Sequence, residues 1–211
     1  MTAPTHRKFG ICFALLGALF IDLTSINYYL MVILLCTFSQ VGAKFPDVDH
    51  HWQNVKDKTV INWIINKLIH LTGGKHRSWQ THSLDIALIF TGLSIWIPDQ
   101  LYRGQLISLV DRELSIAILL GFSLGWLSHL FADMLNYAGI RLTCLSKKKI
   151  RLVPKNLFKL KFKTGEEWEN CVDLFQKYLN IIIGILVLIY PIIINQEIQQ
   201  KVMTIAQVIT R

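Results

Sequence analysis

Four short polar clusters interrupt a chain that is otherwise built of long apolar stretches, and each cluster contains residue types that bind metal ions. Imidazoles and carboxylates beside lipid-facing helices are costly unless their charges are balanced and their lone pairs are used. A bound cation would meet both needs. The clusters are Thr5-His6 and residues 46–51, 76–83 and 128–133.

The apolar stretches predict a polytopic helical membrane protein. Of the 211 residues, 52% are hydrophobic and 17% are charged, whereas soluble domains carry about 25% charged residues. We expect one all-α domain over residues 1–211, with about five membrane-embedded helices and little or no sheet. Some stretches are shorter than the ~20 residues of a perpendicular span, and the first pair is also compatible with a re-entrant hairpin around residues 22–25. The stretches are residues 9–21, 28–38, 84–97, 114–135 and 178–194.

The basic residues predict the orientation of the chain. If the amino terminus is cytoplasmic and five spans follow, eighteen of the 22 Lys and Arg residues lie on the inner side, as the positive-inside rule requires. The net charge of +8 is then a topology signal and an attraction for anionic lipid headgroups, rather than a nucleic-acid site. The Lys-rich run 147–163 is either a membrane-facing or solvated loop or a substrate-binding segment. The same topology places all four polar clusters at the cytoplasmic face of the membrane.

The strongest motif is His129 with Asp133, because a spacing of four residues places both side chains on one helix face. The alternative is a helix-end histidine capped by an aspartate. In the second cluster, Asp47 and Asp49 would turn the same way if their segment were extended, and paired carboxylates favour a cation between them. His50 is the preferred imidazole there. A plain turn and helix cap is the alternative for this segment.

The third cluster combines His76, Arg77 and His82 with hydroxyl residues that suit a helix N-cap. The planar guanidinium of Arg77 binds phosphate or carboxylate groups bidentately. A structural salt bridge from Arg77 to one of the acidic residues is the alternative. Capping explains the hydroxyls but does not explain two histidines and an arginine.

Together these motifs resemble the YdjM family of inner-membrane proteins, which are regarded as metal-dependent hydrolases. Its members carry an amino-terminal Thr-His, a Pro-Asp-x-Asp-His, a His-Arg before Thr-His-Ser, and a Ser-His-x-x-x-Asp. The family also has a later Thr-Gly followed by a glutamate, which Thr164, Gly165 and Glu169 match. The resemblance therefore runs from Thr5 to about Glu169.

One departure from the family pattern affects His76. Three residues, 78–80, separate His76-Arg77 from the Thr-His-Ser, where the family usually has two. On a helix one extra residue rotates a side chain by about 100°. His76 is therefore a weaker ligand candidate than His82.

The family resemblance, and a weaker one to the zinc-dependent phospholipase C and single-strand nuclease superfamily, imply metal-dependent phosphoester hydrolysis. Zinc is the preferred ion, with iron or manganese as alternatives. The candidate ligands are too many for one tetrahedral ion with an open position, so we expect two ions. Asp47 or Asp49 would bridge the ions or accept the proton of water, and Arg77 would hold the charged substrate. The candidate ligands are His6, Asp47, Asp49, His50, His82, His129 and Asp133, with His76 and Glu169 as further candidates.

Three functional classes compete. A metal-dependent hydrolase acting on a phosphoester or lipid-like substrate at the inner leaflet leads. A structural or regulatory membrane protein with a non-catalytic metal site comes second. A divalent-cation transporter comes third, because it needs ligands near the membrane midplane and these clusters lie at helix ends. The expected partners are membrane lipids and a small-molecule or lipid substrate, without nucleic acid.

Overall fold

A computed structural model of the chain describes residues 3–21, 27–55, 58–135, 139–146, 148–152 and 167–209. Within these ranges the fold is a helical bundle with one short hairpin. Two 3₁₀ helices, Phe45–Asp49 and Trp52–Asn54, follow the second α-helix. The other elements are α1 (Ala3–Ala18), α2 (Tyr28–Gly42), α3 (Val60–Leu71), α4 (Trp79–His82), α5 (Leu84–Arg103), α6 (Leu109–Met134), β1 (Ile140–Arg141), β2 (Lys149–Ile150) and α7 (Glu167–Ile209).

The predicted all-α membrane fold is confirmed. Each of the five apolar stretches lies wholly or mostly on a helix. Four helical segments within the described ranges are long and apolar enough to cross a membrane. The first apolar stretch lies mostly on α1, which has 16 residues and packs against α2, α6 and α7. Residues 22–25, around which a re-entrant hairpin was the alternative to two spans, lie outside the described residues. The four candidate spans are Tyr28–Asp49, Leu84–Arg103, Leu109–Met134 and Glu169–Pro191.

Helices α5 and α7 continue furthest past the carboxyl ends of their apolar stretches. Helix α5 continues through Pro98 to Arg103, because Asp99 pairs with Arg103 one turn later and with Arg112 of α6. These ion pairs stabilise a polar last turn that hydropathy alone does not reveal. Helix α7 continues to Ile209. Residues 196–211 place apolar residues at helical spacing, which predicts an amphipathic helix, but the side chains there lie outside the described residues.

Helices α2 and α6 make the closest contact of the bundle. A Cβ added at Gly42 would lie 1.9 Å from the Phe122 carbonyl oxygen, and one added at Gly125 would lie 2.0 Å from the Ser39 carbonyl oxygen. Small residues allow such close backbone approach in membrane helices. This contact holds the ends of α2 and α6 side by side, and both ends carry polar clusters.

All four polar clusters meet at one end of the bundle. The start of α1, the 3₁₀ helix after α2, the short helix α4 and the end of α6 converge there. The indole of Trp126 on α6 donates a hydrogen bond of 2.7 Å to the Thr81 carbonyl on α4. The β1–β2 hairpin covers the same end, where the Leu152 amide donates to the Met134 carbonyl. The helix order thus brings sequence-distant polar residues into one site.

Candidate metal centre

Three buried residues form the first potential ligand group. On α6, His129 Nε2 lies 3.9 Å from Asp133 Oδ2, as expected for residues one turn apart. From α1, His6 Nε2 lies 3.9 Å from Asp133 Oδ1, and the His6 ring stacks on His129 with centroids 3.9 Å apart. One ligand atom from each residue lies within 4.8 Å of the others. Ligand atoms of one tetrahedral zinc ion are about 3.4 Å apart for bonds of about 2.1 Å, so a small contraction would let the three share an ion.

A second ligand group lies next to the first and shares His129 with it. This group consists of Asp47, His82 and His129, whose ligand atoms also lie within 4.8 Å of one another. Asp47 Oδ1 is 3.8 Å from His129 Nε2. His82 Nε2 is 3.7 Å from Asp133 Oδ2, a member of the first group. Five side chains therefore surround one small volume, with Asp47 the most exposed of them at 41%.

The imidazoles of His82 and His129 are oriented by hydrogen bonds on their far side. His129 Nδ1 donates to the Ala43 carbonyl oxygen over 2.7 Å, and His82 Nδ1 donates to Asp49 Oδ2 over 3.1 Å. Each bond directs the Nε2 lone pair toward the carboxylates. His82 Nε2 is buried and has no hydrogen-bond partner among the described residues. A buried nitrogen without a partner is costly, and metal-binding histidines usually have this far-side anchoring.

Asp49 lies behind His82 rather than beside Asp47. Its side chain is fully buried, and Oδ2 accepts hydrogen bonds from the Ser78 amide (3.1 Å), the Thr81 hydroxyl (2.6 Å) and His82. Its other oxygen, Oδ1, accepts one from His76 Nδ1 at 3.1 Å. This set of partners suits a carboxylate that orients ligands.

The expectation that Asp47 and Asp49 turn the same way is wrong, because their segment is not extended. Residues Phe45–Asp49 form a 3₁₀ helix. With about three residues per turn, each residue rotates by about 120°, so side chains two positions apart differ in direction by about 120°. Asp47 therefore faces the ligand groups, while Asp49 faces α4.

His50 and His76 form a stacked pair at the edge of the site, with ring centroids 3.6 Å apart. His50 Nε2 lies 3.7 Å from Asp47 Oδ1. Burial lowers the pKa of His50, and the neighbouring His76 lowers it further, which favours the neutral imidazole. The prediction that one extra residue rotates His76 away from His82 is also wrong, because it assumed that both residues lie on one helix. Helix α4 begins at Trp79, and His76 precedes it in a turn. The extra residue therefore leaves His76 beside the site.

Arg77 occupies a strained position next to the ligand groups. Its φ of 60° lies in the left-handed region, which costs a non-glycine residue about 1–3 kcal/mol. Its Nη2 atom lies 3.5 Å from Asp133 Oδ2. This contact is the structural salt bridge that was the alternative interpretation of Arg77. Nη1 is buried and has no hydrogen-bond partner in the described part of the chain. Arg77 thus anchors Asp133 and retains donors for an anion.

A basic cluster on the hairpin adjoins Arg77. Burial lowers the pKa of Lys149, and the positive charges of Arg77, Arg141 and Arg151 lower it further. Arg141 Nε is buried without a hydrogen-bond partner among the described residues. The Asp133 carboxylate raises the pKa of Lys149 and so offsets part of the repulsion from these positive charges, and an anion bound at the cluster would offset more of it. Lys149 and Arg151 belong to the Lys-rich run 147–163, for which the sequence left a substrate-binding role open, whereas Arg141 lies before that run and was not singled out.

Glu169 lies at the start of α7, where its Oε1 accepts a hydrogen bond of 2.9 Å from the Thr5 hydroxyl. Both side chains are buried. Neither ligand group found among the described residues includes Glu169. Its contact joins α7 to the turn of α1 that carries His6, so Glu169 positions that turn. Thr164 and Gly165, which completed this motif in the sequence, lie outside the described residues.

Comparison with known proteins gives one match. A family model described as YdjM inner membrane protein matches residues 1–198, a range that contains every residue placed at the site. No curated protein and no solved structure gives a significant match.

Proposed function

The chain belongs to the YdjM family of inner membrane proteins, and we propose that it acts as a membrane-bound, metal-dependent hydrolase of phosphoesters or lipid-like substrates. The observation that carries this proposal is the convergence of His82 Nε2 and His129 Nε2 on Asp47 and Asp133. Both imidazoles are oriented from behind, and His82 Nε2 lacks a hydrogen-bond partner among the described residues. Zinc suits this donor set, with iron or manganese as alternatives.

The residues have separate roles in this proposal. His6, His129 and Asp133 would hold one ion, and Asp47 and His82 would complete a neighbouring position. Such ions polarise an ester and lower the pKa of water to near neutrality. Asp47 is the half-exposed carboxylate of the set, so it is placed to accept the proton of an attacking water.

The basic cluster favours an anionic substrate. Arg77, Arg141 and Lys149 lie on the Asp133 side of the site. Guanidinium groups match the geometry of phosphate oxygens. Arg77 would hold the phosphate against the metal centre, and His50 and His76 would form the opposite edge.

A structural metal site is the second candidate. Its support is the burial of His6, His129 and Asp133, because structural zinc sites are closed, whereas catalytic sites keep one position open. The exposure of Asp47 favours the catalytic alternative. A cation transporter is less favoured, because the ligands cluster at helix ends.

We also propose that the amino terminus and the site face the cytoplasm, since the positive-inside rule favours this orientation. A cysteine introduced at Thr72, outside the metal centre, would react with a membrane-impermeant maleimide only in inside-out vesicles. Vesicles of a variant lacking the four native cysteines provide the background. Labelling of this cysteine from the outside of intact cells would show that the site faces away from the cytoplasm.

The hydrolase proposal is tested with purified protein, stripped of metal and then reloaded with zinc or manganese. We expect reloading to restore hydrolysis of p-nitrophenyl phosphate or its diester. Asp47→Asn should abolish most of that activity, while His51→Ala should keep it, because His51 is exposed and lies outside both ligand groups. Protein that retains metal and remains inert toward both phosphoesters and lipid esters would favour the structural alternative.

A further inference from the structure

A cavity of about 660 Å³ adjoins the candidate metal centre. Its volume falls within the ~300–1,000 Å³ of small-molecule sites. Asp47 and His50 form part of its wall, and Asp47 also belongs to the second ligand group. A molecule in the cavity would therefore contact the site through these two residues.

Most of the cavity wall is apolar. Val41 of α2, Phe45 of the first 3₁₀ helix, Ile65 of α3 and Phe122 of α6 all contribute to it. Burying a hydrocarbon chain against such side chains is favourable in proportion to the apolar area removed from water. The cavity thus suits an aliphatic group better than a sugar or a nucleotide.

Three cations also line the cavity: Arg7, Lys44 and Lys58. They come from α1, from the turn between α2 and the first 3₁₀ helix, and from the segment before α3. A wall that combines apolar side chains with several cations matches a ligand that carries both a hydrocarbon chain and an anionic group. Phosphate-bearing lipids have this combination.

The cavity opens between α2 and α3. Val41 and Ile61 both line it, and they are 52% and 69% exposed, so the cavity reaches the surface where these two residues stand. Val41 belongs to a candidate membrane span. Helix α3 is apolar but too short to span a membrane, and it exposes Trp63 and Leu68. A short apolar helix of this kind suits the membrane interface, and that position of α3 would turn the opening toward the bilayer surface.

We propose that the cavity binds the acyl chain of a phosphate-bearing lipid, which enters sideways from the membrane between α2 and α3. The cations Arg7, Lys44 and Lys58 would hold the phosphate, and Asp47 and His50 in the same wall place it next to the metal centre. Binding of the lipid stands on the cavity alone, whereas its cleavage rests on the proposed function. In that cleavage an oxygen of water bonds to phosphorus, the bond from phosphorus to the leaving oxygen breaks, and that oxygen takes up a proton from water.

The test uses the full-length, zinc-loaded protein in detergent. The probe is a lysophosphatidic acid with a diazirine on its acyl chain, which cross-links to whatever surrounds the chain on illumination. We expect labelled peptides from α2 and α3. Excess unlabelled lysophosphatidic acid should compete with the probe, whereas glycerol 3-phosphate, which lacks the chain, and monoacylglycerol, which lacks the phosphate, should compete at least about tenfold less well.

Two variants provide a matched comparison. Ile65→Trp fills the cavity, whereas Ile64→Trp changes the neighbouring residue, which is 46% exposed and does not line the cavity. We expect Ile65→Trp to reduce labelling by about tenfold or more and Ile64→Trp to leave it unchanged. Equal labelling in both variants, or labelling that avoids α2 and α3, would overturn the proposal. If Ile65→Trp does not fold, the competition result with the native chain decides.

Hydrolysis of the same lipid separates this inference from the proposed function. Cavity labelling without release of phosphate from any substrate would support lipid binding and contradict the hydrolase. Conversely, equal KM values for lysophosphatidic acid and glycerol 3-phosphate, with an unlabelled cavity, would support the hydrolase and contradict lipid binding.

Discussion

The substitution Asp49→Asn tests whether a buried carboxylate orients the proposed ligand His82. Asp49 Oδ2 accepts three hydrogen bonds, whereas Oδ1 accepts one from the half-exposed His76. The amide oxygen of asparagine would therefore take the place of Oδ2, and the amide nitrogen would face His76. The geometry of the His82 ring is kept, and the negative charge behind it is lost.

The expected loss of zinc affinity follows from the lost negative charge. A carboxylate behind a ligating histidine raises the basicity of that ligand, and removing such a partner typically lowers metal affinity by about 10–100-fold. That range corresponds to about 1.4–2.7 kcal/mol. At a saturating zinc concentration, the stabilisation of the folded protein by zinc falls by the same amount.

The assay is zinc competition against a fluorescent chelator, combined with thermal unfolding in the presence and absence of zinc. Asp99→Asn is the matched control, because Asp99 is an ion-paired aspartate on α5 whose partners are Arg103 and Arg112, outside both ligand groups. We expect weaker zinc binding in Asp49→Asn alone. A folded Asp49→Asn protein whose zinc affinity lies within about twofold of the native chain would refute the orienting role.

Three further predictions concern the substrate, the basic cluster and the fold. Arg77→Met should raise the KM for a phosphoester by about tenfold or more with zinc content unchanged; loss of zinc instead would assign Arg77 to anchoring Asp133 alone. The lowered pKa of Lys149 means that the unfolded chain binds more protons, so stability rises with pH between the folded pKa and the ordinary value of 10.5. Lys149→Gln should remove this rise of stability with pH and increase Tm at pH 7 in thermal unfolding. A variant with the pH profile of the native chain would contradict this role of Lys149. Gly125→Ala should cost about 3 kcal/mol or more, because its Cβ would meet the Ser39 carbonyl oxygen. Gly92→Ala is the control: its Cβ has open space around it, so denaturant unfolding should show no loss of stability and a gain of up to about 1 kcal/mol from helix propensity.

The sequence predicted the features that depend on helix periodicity and on the order of the spans. The spacing of His129 and Asp133 indicated two side chains on one helix face, which the structure confirms. The count of spans predicted that the polar clusters would share one end of the bundle, and they do. Both features are local or topological, so they can be read without knowing the packing.

The features that the sequence did not reveal depend on irregular backbone and tertiary contacts. The separate orientations of Asp47 and Asp49 follow from a 3₁₀ helix, which hydrophobic periodicity does not distinguish from an extended segment. The contact of Glu169 with Thr5 joins two ends of the chain. The cations Arg141 and Lys149 reach the site through a hairpin of two-residue strands, too short for an alternation pattern to appear.

The central claim is that the clustered histidines and carboxylates hold a metal ion, and elemental mass spectrometry tests it most directly. The protein is purified in detergent without chelator and compared with His129→Ala and Asp133→Asn. We predict near-stoichiometric zinc, iron or manganese in the native chain and a clear loss in both folded variants. A native chain that retains no metal, and whose thermal stability does not change when divalent ions are added, would contradict the account.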